Sequence, residues 1–313
     1  TIEDEIEFIL SEAGKLAERD MITTEEFKRL EESLFRAREA VYIAEERGEV
    51  ELMDAHHPIL ALFSLAKRRM LNPPRLRALL TTLEHNNQFI FSDPWPVPNF
   101  TAFTFPDSPL PFVSYRGQGI NFQPVTAIHW AELALKRRNT SYFLSIMEEL
   151  LKYIVVEEKD GLRYGVLEHY FSWEGSDFPW ISGYSQGLGA GLYAEAYRIT
   201  GREEFLNAAR LLLASFNLSW EEGGFKVQTE YGPWYLEYSY SREALVLNGF
   251  MICLKGLYMY AEALNDSSAM SLFLEGLDTL KKALPDFDTG NWSLYSNIHG
   301  LARGWYHRLH VQL

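Results

Sequence analysis

From residue 124 onward the chain repeats one pattern: two amphipathic helices followed by an aromatic-rich hairpin, at a spacing of roughly 60 residues. Apolar periodicity predicts helices over residues 124–138, 141–156, 181–199, 202–216, 241–264 and 267–284. Phe205, Ala209, Leu212 and Phe216 share one face, as do Phe273, Leu277, Leu280 and Leu284. Gly201 closes the third of these helices. Alternation predicts a hairpin from Ile154 to Phe171 around Gly161, and a second over residues 218–238 turning on Gly223-Gly224. A helix that is apolar on one face must bury it, and a recurring pair does so by laying an outer helix on an inner one. The expected fold is mainly α: an α/α toroid of helical pairs, with short β-hairpins at the rim of a central cleft. Loops at one end of such an arrangement carry the chemistry.

The first 123 residues read differently. Helices are expected over residues 2–18, from Thr24, over 58–70 and over 74–85, the last opened by Pro73-Pro74. Thr24-Glu-Glu-Phe reads as a cap. Residues 86–123 are rich in aromatics, and in proline between Pro94 and Pro111, with little helical period. They are expected to form a long loop or short strands at the lip of a cleft. The domain reading is residues 1–123 as N-terminal helices plus this loop, continuous with a toroid domain over 124–313.

With 313 residues, 47% of them hydrophobic, the chain can bury a sizeable core. A formal charge of −14 argues against sequence-independent nucleic-acid binding, which needs clustered Lys and Arg. The single cysteine, Cys253, sits among Met251, Ile252 and Leu254 and reads as a buried core thiol; no intrachain disulfide can form. The first residues, Thr1-Ile-Glu-Asp-Glu, lack a signal-peptide pattern, so a cytoplasmic location is favoured, although a chain that starts without Met is compatible with a removed leader. No apolar run reaches membrane-spanning length, Lys255 breaking the longest.

Phe, Trp and Tyr make up 14% of the chain and crowd at the expected loops. Flat rings beside glycine and polar residues suit a sugar-binding groove, because pyranose rings have apolar faces and polar edges; they equally suit capping of the helical layer. One carboxylate, several phenols, an arginine and histidines also fall on loops of the last third. His56-His57 and His307…His310 lack a Cys or carboxylate at ligand spacing, so no metal and no cofactor are expected. No P-loop, dinucleotide fingerprint or nucleophile elbow is present.

Several segments occur together in one order: Pro179-Trp180-Ile181-Ser182 with Gln186-Gly187; Trp234-Tyr235-Leu236-Glu237-Tyr238; Val246-Leu247-Asn248-Gly249-Phe250-Met251 with Gly256-Leu257-Tyr258; Asp288-Thr289-Gly290 with Tyr295; and Leu301-Ala302-Arg303 with Tyr306-His307. This set, over residues 179–307, resembles the C-terminal domain of the D-glucuronyl C5-epimerases. Gln118-Gly119 followed by Pro124 is faintly similar to an upstream segment of that family. The chain departs from the family where Ser296-Asn297-Ile298-His299 replace a longer stretch holding an arginine. It also departs before residue 124, where the animal enzymes have a β domain and a membrane anchor. Their polymer specificity is therefore not carried over.

The resemblance implies inversion at C5 of a uronic acid in a polysaccharide, with a catalytic glutamate at Glu237 and functional tyrosines at Tyr238, Tyr295 and Tyr306. Such inversion removes a C–H proton beside a carboxylate and returns one to the other face, so it needs a base, an acid and donors for the enediolate. Glu237 suits the base if burial raises its pKa; by residue type alone it is equally a surface carboxylate. Tyr306, then Tyr238, suits the acid, and Arg303 or His307 suits the substrate carboxylate. Trp180, Gln186 and Trp234 are candidate substrate contacts. Asn248 is either such a contact or a polar tie at a helix start. Asp286 and Asp288 read as turn caps. Competing readings are a uronate lyase, an inverting glycoside hydrolase pairing Glu237 with Asp177 or Glu168, and a non-catalytic sugar-binding protein. The expected partner is an acidic polysaccharide or oligosaccharide, with no nucleic acid; a homodimer is compatible with the sequence.

Overall fold

A computed structural model describes residues 1–92 and 95–313; of the proline-rich segment, Asp93 and Pro94 lie outside the described residues. The protein is mainly helical, with short antiparallel strand pairs. Its contacts divide into two compact units: residues 1–127 with 170–173, and residues 128–169 with 174–313.

The first unit holds α1 (Ile2–Glu18), α2 (Thr24–Glu45), α3 (Glu49–Lys67) and α4 (Pro73–Phe91), followed by a meander of β1 (Thr101–Phe105), β2 (Ser108–Tyr115) and β3 (Gly119–Phe122). The cap of α2 is Thr23, one residue earlier than expected. Its hydroxyl accepts from the Glu26 amide while the Glu26 carboxylate accepts from the Thr23 amide, so the four-residue box fixes the start. Helix α3 begins nine residues before the expected position 58 and carries Pro58 inside it. Burial of Asp54, Ala55 and His57 holds this stretch helical where its own periodicity is weak. Asp54 Oδ1 accepts from the Gly117 and Gly119 amides, at 2.6 and 2.9 Å. Asn86 brackets Ile120, accepting from its amide at 2.9 Å and donating to its carbonyl at 2.6 Å. Phe105 stacks on His85 and Phe103 packs edge-on against Phe89, so these aromatics join sheet to helix. The Gln118 side chain accepts from the Ser172 amide and donates to the Ser172 carbonyl, tying residues 170–173 into this unit.

The second unit carries the repeating pattern. Helix α5 (Pro124–Lys136) runs into it, followed by α6 (Thr140–Leu150), the hairpin β4 (Val155–Lys159)–β5 (Leu162–Val166), and the short pair β6 (Glu168–His169)–β7 (Trp180–Ile181). Then come α7 (Gly183–Thr200), α8 (Glu203–Ala214), the hairpin β8 (Lys226–Thr229)–β9 (Gly232–Tyr235), α9 (Leu247–Leu264), α10 (Ser267–Phe287), the pair β10 (Leu294–Ser296)–β11 (Gly300–Leu301) and α11 (Gly304–Gln312). The second hairpin turns at Glu230-Tyr231, not at Gly223-Gly224. Those glycines end a 3-10 turn opened by the Ser219/Glu222 capping box, with Gly223 at φ 94°, a conformation glycine adopts without strain. Helix α9 starts six residues later than the expected 241, because Leu245 donates its amide to Asn297 and Asn297 donates to the Glu243 carbonyl, holding that run as a loop.

Helices α7 and α9 form the centre of this unit, with α8 packed on α7 and α10 on α9. Their backbones meet: a Cβ at Gly187 would stand 2.6 Å from the Cys253 carbonyl oxygen, and one at Gly256 would fall on the Gly187 carbonyl. Cys253 is fully buried in this seam, and burial pushes its thiol pKa up, as a core thiol requires. Around it lie Phe216, Phe225, Trp234, Tyr235 and Phe250. Trp234 stacks on Phe250 at 4.0 Å and lies parallel to Phe287. Some of the aromatics expected in a groove are therefore core.

Candidate active site

The run Leu236–Ser239 follows β9 and is pinned on both sides. The Leu236 amide donates to Phe225, and the Leu236 carbonyl accepts from the Gly183 amide at 2.7 Å. The Ser239 amide donates to Ile181, the Ile181 amide to Ser239 Oγ, and the Trp220 indole to the Ser239 carbonyl. Glu237 is thereby fixed between the first turns of α7 and α9. A Cβ at Gly249 would stand 2.7 Å from the Glu237 Cβ and closer still to Oε2, so only glycine leaves room for this carboxyl.

Glu237 is buried, and its Oε2 has no hydrogen-bond partner. Desolvation alone pushes its pKa up to about 8. The tyrosines converge beside it. The Tyr238 hydroxyl lies 2.7 Å from that of Tyr295, and the Tyr295 ring packs 4.8 Å from that of Tyr306. Tyr295 is brought here by β10, whose Ser296 bridges Val246 just before α9; Tyr306 stands on the first turn of α11. Burial first, and the Glu237 charge second, push the Tyr306 pKa up to about 12, and those of Tyr238 and Tyr295 higher. All three phenols keep their protons at neutral pH.

Trp180 stacks face-on against His169 at 3.7 Å and presents its edge to Tyr240 and Tyr238. It is buried and buttresses the tyrosines from behind. Gln186 is fully buried; it accepts from the Leu167 amide and donates to the Gly165 carbonyl and Ser215 Oγ. Its amide joins the β5 strand end to α7. Trp234 is core. These three expected substrate contacts are thus engaged by the protein itself. Asn248, on the first turn of α9, is buried with Oδ1 unpartnered, as are the Ser182 and Tyr240 hydroxyls. Native proteins pair most buried polar groups, so these orphans stand out; Ser182 and Asn248 lie at the starts of α7 and α9.

Arg303 is exposed at the N-cap of α11, near enough to Tyr306 to hold its pKa lower than it would otherwise be. His307 packs on Trp292, and its Nδ1 pairs with Ser293. Asp288 accepts from the Gly290 amide and Asp286 from the Tyr231 hydroxyl, both in turn-stabilising roles. Residues 297–299 form the β10–β11 turn. There His299 bonds Ser296 and pairs with Glu174.

Sequence reasoning missed Tyr184 and His129. Tyr184 is buried on the first turn of α7, its hydroxyl 3.3 Å from His129 Nδ1, and it lies within electrostatic reach of Glu237 and Tyr306. The signal was its position inside the Pro179–Gly187 segment, one residue after Gly183. Helices α7, α9 and α11, which meet here, have no side-chain cap hydrogen bond at their N-termini. Their positive ends therefore favour negative charge in the site.

This mainly helical unit buries one carboxyl with an unpartnered oxygen among phenols, beside helix starts that lack side-chain caps. Residues 160–313 match the family described as D-glucuronyl C5-epimerase C-terminus, and this part of the chain belongs to that family. A D-glucuronyl C5-epimerase of Caenorhabditis elegans is 31% identical over a region covering 43% of this chain and 25% of that protein. An uncharacterised protein of Methanocaldococcus jannaschii is 32% identical over 37% of this chain and 39% of its own length. The chain thus spans well under half the length of these relatives. Among the described residues, no helix is long and apolar enough to cross a membrane.

Proposed function

We propose that the chain is an isomerase that inverts C5 of uronic acid residues, of the D-glucuronate to L-iduronate type, in a polysaccharide. One observation carries the reading: a buried carboxyl with an unpartnered oxygen and a pKa of about 8, beside three protonated tyrosines. A carboxylate of that basicity is a far better base toward a C–H bond next to a carboxylate than an exposed glutamate. It takes the C5 proton from one face. Tyr306, with Tyr238 and Tyr295 hydrogen-bonded behind it, delivers a proton to the other face, and the roles reverse for the return reaction. The enediolate formed in between is stabilised by phenol hydroxyls, by the uncapped starts of α7, α9 and α11, and by Arg303. Tyr240, Asn248 and Ser182 supply hydrogen bonds to the sugar. His307 orients the α11 start.

The packing of α8 on α7 and of α10 on α9 supports an α/α toroid as the larger arrangement, with residues 124–313 as its domain. A hydrolase pairing is less supported: Glu168 is buried in β6, paired with Ile181, and Asp177 is exposed. The test is incubation with a D-glucuronate polysaccharide in deuterated water. Deuterium at C5 without chain cleavage is expected. Unsaturated ends instead mean a lyase, new reducing ends a hydrolase, and binding alone a sugar-binding protein.

A further inference from the structure

The surface beside Tyr306 carries two indoles that no step above uses. Trp305 precedes Tyr306 on the first turn of α11 and stacks on its ring at 3.5 Å, yet 53% of the residue is exposed. Trp292 is 38% exposed and fixed in place: its indole donates to the Ala302 carbonyl at 2.6 Å, and its ring stacks on His307 at 4.1 Å. A Cβ at Gly304, the residue before Trp305, would stand 4.0 Å from the Trp292 ring, so both indoles border the start of α11. Trp234, by contrast, is fully buried in the core. Rings that are held in place but left in water lose little freedom when a flat partner lands on them.

Charge points to the nature of that partner. Residues 289–313 hold two arginines and three histidines and no aspartate or glutamate, within a chain of formal charge −14. Arg308 follows Trp305 by three residues, which puts both on one face of α11. Arg303 and Arg308 are exposed, and among the described residues neither pairs with a carboxylate.

We propose that Trp305, with Trp292 and Arg308, forms a subsite for the sugar next to the reacting uronate in an acidic polysaccharide, an inference that rests on the reading of the Tyr306 site as the place where a uronate reacts. The indole takes the apolar C–H face of that pyranose, and the Arg308 guanidinium pairs with an acidic group of the polymer. The ring contacts that run from Trp305 through Tyr306 to Tyr295 make the subsite continuous with the tyrosines. The polymer thus lies along the start of α11 with one residue presented to Tyr306. Trp305 touches no reacting atom; it positions the chain, so its contribution shows in KM for long substrates and is absent for short ones.

The test is C5 deuterium exchange with D-glucuronate oligosaccharides from disaccharide to octasaccharide, with calorimetry on the same series. In the wild type KM is expected to fall about tenfold with length. Trp305→Ala is expected to lose that gain while kcat on the disaccharide stays as in the wild type, and Trp305→Tyr, which keeps a flat ring, to recover it. Arg308→Ala is expected to weaken octasaccharide binding about threefold and to flatten its salt dependence. Both residues are exposed, so the variants fold, and melting temperatures check this. Wild-type length dependence in both Trp305→Ala and Arg308→Ala would overturn the subsite. So would an equal fall of kcat at every length in Trp305→Ala, which means that Trp305 only buttresses Tyr306, or a wild type whose KM ignores length. If the wild type exchanges no C5 proton, the proposed function fails instead, and calorimetry still decides the subsite by the same length dependence.

Discussion

The Tyr238 and Tyr295 hydroxyls lie 2.7 Å apart although 57 positions separate them in the chain. Tyr238 is set by the run after β9, and Tyr295 by a two-strand pair that bridges to Val246. Both depend on the start of α9, which also abuts Glu237. Tyr295→Phe leaves Tyr238 without that partner and loosens its orientation. We expect turnover to fall about 10²–10⁴-fold, the range for a positioned acid or base, with substrate affinity nearly unchanged. Steady-state kinetics alongside equilibrium binding separates the two.

Glu237→Gln keeps the shape and removes the basicity. Abstraction in at least one direction is expected to fall by about 10²–10⁴ while binding survives. Tyr306→Phe is expected to block the complementary delivery and to leave some solvent exchange at C5 without inversion. Deuterium content and product configuration, measured for both variants, decide. Wild-type turnover in Glu237→Gln removes this residue from the mechanism.

A base with a pKa of about 8 works only when deprotonated, so kcat/KM of the wild type is expected to rise with pH and level off above about 8. Stability moves the other way. The folded-state pKa lies above the ordinary 4.5, so the folded protein holds this proton more tightly than the unfolded chain. The associated stability is complete below about pH 4.5 and is lost as pH rises through about 8. Denaturation of wild type and Glu237→Gln at both ends of this window should show the wild type losing stability relative to the variant. Parallel curves would mean that Glu237 is not desolvated.

Two glycines of the same helix should fail in different ways. Gly249→Ala meets the Glu237 carboxyl and also its Cβ, so the carboxyl must turn away and the run that carries it must shift; activity is expected to vanish with a stability loss of about 1–3 kcal/mol. Gly256→Ala meets the backbone of Gly187, which cannot give without separating α7 from α9. That variant is expected to lose more stability than Gly249→Ala, or not to fold. Thermal melts and soluble yield rank them.

Gln186→Leu removes the acceptor for the buried Leu167 amide and the donor to Gly165 and Ser215. A loss of about 1–3 kcal/mol is expected for the orphaned groups. If Gln186 touches substrate instead, affinity falls while the melting temperature stays.

The helices of the second unit were legible in the sequence because each carries its own apolar stripe: Phe205, Ala209 and Leu212 bury on α8 whatever lies around them. The family was legible too, because Trp234–Tyr238, Val246–Met251 and the segments after them are local strings. Where an element starts was less so. Thr23 rather than Thr24 caps α2, and α9 waits until Leu247 because Asn297, distant in sequence, bonds the residues before it. The roles within the motifs were not local at all. Trp180, Gln186 and Trp234 look like site residues in a string, yet packing turns them inward, where stacking and backbone hydrogen bonds consume them. Glu237 is the reverse case: a glutamate that reads equally well as a surface charge is buried against Gly249, whose missing side chain leaves it room, and desolvation there raises its pKa. Composition and period determine which segments fold and what they resemble. Desolvation and proximity between distant segments decide which side chains can do chemistry, and those arise only when the helices have packed.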